Sequence, residues 1–189
     1  MPRPGRKRSE ASRQRIVAAS LEIMAERGYN GITVDEIAKR ARVGKQTIYR
    51  WWQTRGEIMM EVLGEVGLEA VPAPGTGKLK QDLDKWLKGI VESLNDPTRL
   101  SILRGLIGDA QGDSGFLKVY RKELLAEYLN PLESILRDAE ARGDLGKKPD
   151  LELLRDLVIS PIWFRLLFGG ELDSGFAKSL SKTIFGALT

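Results

Sequence analysis

Within seven residues, Lys45 to Trp51, this chain gathers Lys45, Gln46, Thr47, Tyr49, Arg50 and Trp51. These side chains match the edges of nucleic-acid bases. Glutamine pairs bidentately with adenine, lysine and arginine with guanine, and the threonine methyl meets the methyl of thymine. Tyr49 and Trp51 suit phosphate and sugar better than base edges. For Trp51 a second reading stands, an exposed contact without specificity, while Trp52 reads as core. The bland alternative for the whole stretch is the solvated face of a two-helix hairpin. Against it weighs the concentration of base-reading types and aromatics on one short helix directly after a turn.

The flanking residues build what such a helix needs. Thr33 precedes Glu36 by three positions, the capping-box spacing, and opens a helix with an apolar stripe of Val34, Ile37, Ala38 and Ala41. Arg42, Val43 and Gly44 break it. A second helix then spans about Lys45 to Trp51, with Ile48 and Trp52 on its apolar side. Thr54 and Glu57 repeat the capping box and start another helix. Helix, short turn, helix is the plan of a helix-turn-helix DNA reader. A first helix from about Ser9 to Arg27 buttresses the pair through Ile16, Ser20, Ile23 and Met24, and Gly28 ends it. Residues 1–8, MPRPGRKR, are expected as a basic disordered arm. Arg3, Arg6, Lys7 and Arg8 either track phosphates and enter a minor groove, or form a solvated tail that raises the on-rate.

Charge follows the same division. The 189 residues carry a net charge of +4. Residues 1–60 hold thirteen Lys and Arg against six Asp and Glu, a surplus of +7, which leaves −3 for the remainder. A basic head on a mildly acidic body points to a polyanionic partner for the head alone. The chain has no cysteine and no histidine. That excludes disulfides, thiol nucleophiles and thiolate zinc sites, and removes the usual general base. No base–nucleophile constellation or metal cluster is visible, so neither an enzyme nor a cofactor is expected. No apolar run reaches the length of a membrane span, and the basic N-terminus lacks a signal-peptide core. A cytoplasmic protein is the expectation.

The remainder reads as helix throughout, making the chain all-α. The fourth helix runs from Thr54 to about Ala70 and joins head to body. The PAPGTG loop after it lacks the preceding strand and the Gly-Lys-Ser/Thr ending of a phosphate-binding loop. Leu79 to Leu94 form a regular stripe, Asp96-Pro97 opens the next helix, and Asp113-Ser114-Gly115 breaks the chain. A long helix from about Gly115 to Arg142 should bend at Pro131. From Leu157 to Phe168 apolar side chains cover most of a helix circumference, which requires burial on several sides. One side is expected to meet a second copy of the chain, through Leu157, Ile162 and Phe164 with Leu180 and Ile184 of the last helix. The body aromatics at helical spacing are core more often than ligand wall.

The run from Ile16 to Ile58 resembles the DNA-binding domain of the TetR family of bacterial transcriptional regulators. The resemblance rests on Ile16–Met24 with Gly28-Tyr29, Thr33-Val34, Ile37-Ala38, Ala41, Val43, Thr47-Ile48-Tyr49, Trp52, Arg55 and Ile58. It is close over the first third of the chain and architectural over the rest. It implies a three-helix helix-turn-helix domain at residues 1–53 and a helical effector-binding and dimerisation domain at 54–189, about nine helices in all. It places Thr33, Tyr49 and Arg55 on the DNA backbone. Two positions depart from the family pattern: Arg42 stands where glycine is frequent, adding a phosphate contact, and Gly44 where serine is frequent. It further implies a homodimer, usually a repressor, released from a palindromic operator by a small organic ligand. That ligand would lie among Met59, Leu63, Trp86, Phe116, Tyr120 and Trp163. The alternative is an architectural DNA-binding protein with no effector, which would coat DNA rather than protect one palindrome.

Overall fold

The computed structural model describes residues 4–145 and 149–188, with side chains for 10–145 and 149–186. All regular structure among them is helical: α1 (Pro4–Arg27), α2 (Val34–Ala41), α3 (Lys45–Tyr49), α4 (Arg55–Glu65), α5 (Leu79–Ser93), α6 (Pro97–Gly112), α7 (Ser114–Val119), α8 (Ala126–Arg142), α9 (Leu151–Phe168) and α10 (Ser174–Leu188). A π-helical turn, Tyr120–Leu125, joins α7 to α8 without a break, so these segments make nine helical rods.

Local chemistry sets most boundaries. Thr33 and Thr54 each accept the backbone N–H three residues on, Glu36 and Glu57, at 3.2 Å. Asp96 caps α6 ahead of Pro97, accepting from the Arg99 N–H at 2.8 Å. Asp113, Asp150 and Asp173 cap α7, α9 and α10 in the same way. Each such cap is worth about 1 kcal/mol against alanine. Gly143, at φ 77°, supplies the left-handed residue that closes α8.

Three expectations change. The arm expected at residues 1–8 is helical from Pro4, where a missing N–H costs nothing in a first turn. The side chains of Arg3, Arg6, Lys7 and Arg8 lie outside the described residues. The fourth helix stops at Glu65 rather than near Ala70, because Gly67 turns to φ 75° and Leu68 bonds back to Leu63. The long helix, expected as a single α-helix, contains a π turn at Tyr120–Leu125, and Pro131 sits inside α8.

The helices form two compact units. The first holds Met1–Leu68 and Ser101–Tyr120; the second holds Glu69–Leu100 and Arg121–Thr189. Residues 54–68 and 101–120 thus pack with the head, although the sequence alone groups them with the body. In the first unit α1 packs on α2, α3 and α4 around Ile16, Ile23, Ile37, Ile48, Ile58 and Met59, all fully shielded. Gly56 lets the Phe116 ring approach the start of α4; a Cβ there would stand 2.4 Å from it. In the second unit α5 lies along α10 and α8, and α9 packs on both α8 and α10. Its core includes Leu83, Trp86, Leu87, Leu132 and Val158.

Candidate nucleic-acid interface

The site begins with the turn between α2 and α3. The chain reverses at Arg42, whose φ of 54° and ψ of 49° place it in the left-handed region. It is the one non-glycine residue with positive φ among those described. Its N–H and that of Val43 return to the Lys39 and Ala38 carbonyls, closing α2. Gly44 then caps α3 without a side-chain bond, and its carbonyl takes the Thr47 N–H at 2.8 Å. Glycine loses only a few tenths of a kcal/mol there against serine.

α3 is held from beneath. Ile48 is fully buried and Trp52 nearly so, its indole N–H donating to Glu61 Oε2 at 3.1 Å. Trp52 is therefore core, as its apolar position suggested. Two ion-pair clips fix the surrounding helices. Arg40 of α2 reaches both carboxylate oxygens of Glu26 of α1, at 2.6 and 2.7 Å, and Arg13 of α1 reaches Glu61 of α4 at 2.8 Å.

The outward side of α3 carries the expected set. Lys45, Gln46, Tyr49, Arg50 and Trp51 are exposed, and Thr47 is half-buried. Tyr49 and Trp51 keep 46% and 40% of their surface in solvent, unusual for large aromatics, and the Arg13 guanidinium lies 5.9 Å from the Trp51 ring centre. Lys45 is ion-paired with Asp35 of α2, whose hydrogen bond raises the lysine above its ordinary range. Both partners are exposed, a setting in which such pairs are weak and readily exchanged. Thr33 and Arg42 are exposed as well, on either end of α2.

Arg55 differs from the rest. Its Nε and Nη2 donate to the two carboxylate oxygens of Asp109, at 2.9 and 2.6 Å, and Nη1 donates to the Ile32 carbonyl at 3.0 Å. Its guanidinium also lies 5.3 Å from the Tyr29 ring centre, and the Tyr29 hydroxyl donates to Asp109 at 2.9 Å. The hydrogen bond to Asp109 is what most raises the Arg55 pKa. Burial, and then the Asp109 charge, hold the Tyr29 phenol far above its usual range. Neither Tyr29 nor Asp109 was a candidate from sequence. No motif marks an aspartate fifty-four residues from its arginine.

The other candidates divide between the units. Met59, Leu63, Phe116 and Tyr120 lie buried in the first; Trp86 lies buried and Trp163 half-buried in the second. Phe116 and Tyr120 adjoin, ring centres 6.3 Å apart, and burial pushes the Tyr120 hydroxyl up to about 12. Trp86 donates its indole N–H to the Val71 carbonyl at 3.1 Å, so its polar atom is already satisfied. Among the residues expected between two copies, Leu157 and Phe164 are 50% and 63% exposed and Ile184 is half-buried. Ile162 and Leu180 are turned into the protomer, 4% and 7% exposed. A helix apolar all round has an inner and an outer face, and Ile162 takes the inner face of α9, as Leu180 takes that of α10. Leu153, Leu167 and Phe168 join the outer face of α9 instead.

Two family models match the chain. "Bacterial regulatory proteins, tetR family" covers residues 16–62, and "Tetracyclin repressor-like, C-terminal domain" covers residues 73–184. The uncharacterized HTH-type transcriptional regulator YdeS of Bacillus subtilis (strain 168) is 29% identical over 182 residues, 96% of this chain and 91% of that protein. The DNA-binding transcriptional repressor TetR of Mycobacteroides abscessus is 27% identical over 179 residues, 92% of this chain and 91% of that protein. The crystal structure of the TetR family transcription regulator SCO0332 superposes with a TM-score of 0.71 at 25% identity, over 94% of this chain and 98% of that one. The regulator FadR of Bacillus subtilis, solved in complex with stearoyl-CoA, shares the fold at a TM-score of 0.68 and 20% identity, over 93% and 99%.

Proposed function

The chain belongs to the TetR family of bacterial regulatory proteins, and from that premise we propose that it is a homodimeric repressor, released from a palindromic operator by a small, largely apolar organic effector. That it is a DNA-binding transcriptional regulator follows from the family. The observation that carries the reading of an operator is the outer face of α3, where Lys45, Gln46, Tyr49, Arg50 and Trp51 stand exposed together above a buried Ile48.

In this reading Gln46, Lys45 and Thr47 meet base edges. Thr33, Arg42, Tyr49, Arg50, Trp51 and Arg55 meet the backbone. Lys45 exchanges its Asp35 partner for DNA at little cost, because the pair is exposed. Two copies join through the outer face of α9, where Leu153, Leu157, Phe164, Leu167 and Phe168 are exposed, together with the half-buried Ile184 of α10. A dimer reads both half-sites only when its heads stand about 34–36 Å apart, or a multiple of one DNA turn. The effector acts by preferring another spacing, and DNA must then weaken effector binding by the same factor.

Repression is supported by the name of the Mycobacteroides abscessus relative. An apolar effector is supported by the buried aromatics Trp86, Phe116 and Tyr120 and by the stearoyl-CoA complex of a protein of the same fold. The test is calorimetry with fatty acyl-CoA thioesters and aromatic compounds, with and without a duplex recovered by selection from a randomised pool. The expected result is an effector whose affinity falls when the duplex is present. Equal affinity in both settings would show the two sites uncoupled.

A further inference from the structure

Asp109 has no place in the site as the sequence draws it. It lies on the later part of α6, in the same compact unit as α1–α4. Its side chain is 18% exposed and receives three hydrogen bonds. Oδ1 accepts from Arg55 Nη2 at 2.6 Å; Oδ2 accepts from Arg55 Nε and from the Tyr29 hydroxyl, both at 2.9 Å. The third guanidinium nitrogen bonds the Ile32 carbonyl, adjacent to Thr33, which caps α2. Tyr29 is itself locked, since a Cβ on Gly105 would stand 2.2 Å from its ring. A guanidinium has five N–H bonds, and these contacts use three. One remains on Nη1 and one on Nη2, on a side chain that is 36% exposed.

We infer that Asp109 is a positioning residue for DNA binding: it fixes the Nε–Nη2 edge of Arg55, so that the remaining N–H bonds are already oriented for a backbone phosphate. The inference rests on the assignment of Arg55 to the DNA backbone. Its physical ground is pre-organisation. A free arginine loses rotamer freedom when it binds a phosphate, whereas one held in a planar fork has lost it on folding. The same clip ties the N-terminus of α4, where Arg55 is the first residue, to the N-terminus of α2. An opposite role for Asp109 is competition, in which the carboxylate neutralises Arg55 and withholds it from DNA.

Fluorescence anisotropy separates these roles, with the selected duplex and one of shuffled sequence, over a series of salt concentrations. Thermal melts of each variant set a temperature at which all are folded. Arg55→Ala is expected to lower the salt slope by about 0.9 per half-site, the signature of one lost phosphate contact. Asp109→Asn is expected to reproduce that slope loss and to weaken both duplexes alike, about tenfold. The double variant should bind no more weakly than Arg55→Ala, and Asp109→Glu should recover part of the loss. A wild-type slope or tighter binding in Asp109→Asn, beside a lowered slope in Arg55→Ala, overturns the inference and leaves the Arg55 contact standing. A wild-type slope in Arg55→Ala overturns that contact, and the inference with it. Should Asp109→Asn not fold, NMR of the wild-type protein decides between the two roles. The Arg55 Nε–H resonance, identified by its loss in Arg55→Ala, stays at its carboxylate-bonded position when the duplex is added if Asp109 keeps its hold. Its departure from that position overturns the inference.

Discussion

The outer faces of α3 and α9 both expose large aromatic residues, and the two faces surround them with different neighbours. On α3, Tyr49 and Trp51 stand among Lys45, Gln46 and Arg50, so each ring has hydrogen-bonding and cationic neighbours. On α9, Phe164 and Phe168 pack on each other, ring centres 5.1 Å apart, in line with Leu153, Leu157 and Leu167. The first surface is already wetted and suits a hydrated polyanion. The second is a contiguous apolar stripe, and water does not finish it. Exposure of an aromatic therefore says little by itself; its neighbours state whether nucleic acid or another protein surface completes it.

The largest effect should come from charging the α9 face. By sedimentation at micromolar concentration the wild type should be a dimer, and Leu157→Glu with Phe164→Glu should be a monomer. Both side chains are exposed in the protomer, so its fold should survive, as a retained thermal transition would show. Losing the second half-site should weaken operator binding by about 10²–10⁴-fold. A dimeric double variant would remove α9 from the interface. Charges at Ile162 or Leu180 are no substitute, because those side chains are buried and would unfold the protomer.

Salt should sharpen the contrast next. A head carrying +7 over residues 1–60, doubled in a dimer, predicts six to ten phosphate contacts. Affinity for the operator should fall by about a thousandfold or more between 50 and 200 mM salt. The apolar α9 contact should hold over the same range, because burial of apolar surface is not screened. A flat salt response in DNA binding would break the assignment of the α3 face.

Gln46→Ala tests the α3 face residue by residue. It should cost about 1–3 kcal/mol at one base position and relax preference there, while Tyr49→Phe should weaken all sequences alike. Selection from a randomised pool reads both. An unchanged preferred sequence in Gln46→Ala would place a different side of α3 in the groove.

What the sequence made legible was local. The Thr33 and Thr54 side chains cap their helices because the N–H groups they accept lie three residues away, and Asp96 does so for the same reason. The α3 face was legible because residue types, spacing and a preceding turn coincide. The Tyr29–Arg55–Asp109 cluster was not, since its members come from three segments and nothing in any one window points to the other two. The grouping of residues 101–120 with the head was hidden likewise: only tertiary packing, such as Phe116 on Gly56 and Tyr29 on Gly105, decides it. The apolar circumference of α9 was plain, but which half faces inward depends on α8 and α10, so Ile162 could not be sorted from Leu157 and Phe164.

Arg42 offers the smallest effect and the most discriminating one. It occupies a left-handed backbone position that glycine adopts without strain and other residues do not. Arg42→Gly removes a strain of about 1–2 kcal/mol. It also gives the unfolded chain more freedom, which takes back about 0.5–1 kcal/mol. The net gain should be about 0–1.5 kcal/mol, a rise in Tm of no more than about 3–6 °C for a chain of this size. DNA binding should move the other way: a lost phosphate contact lowers the salt slope by about 0.9 per half-site. Stability rising while affinity falls would mean that the arginine is kept at this turn for the DNA and not for the fold. If Arg42→Gly gains stability and binds DNA with an unchanged salt slope, Arg42 makes no phosphate contact, and the charge of the head is used elsewhere.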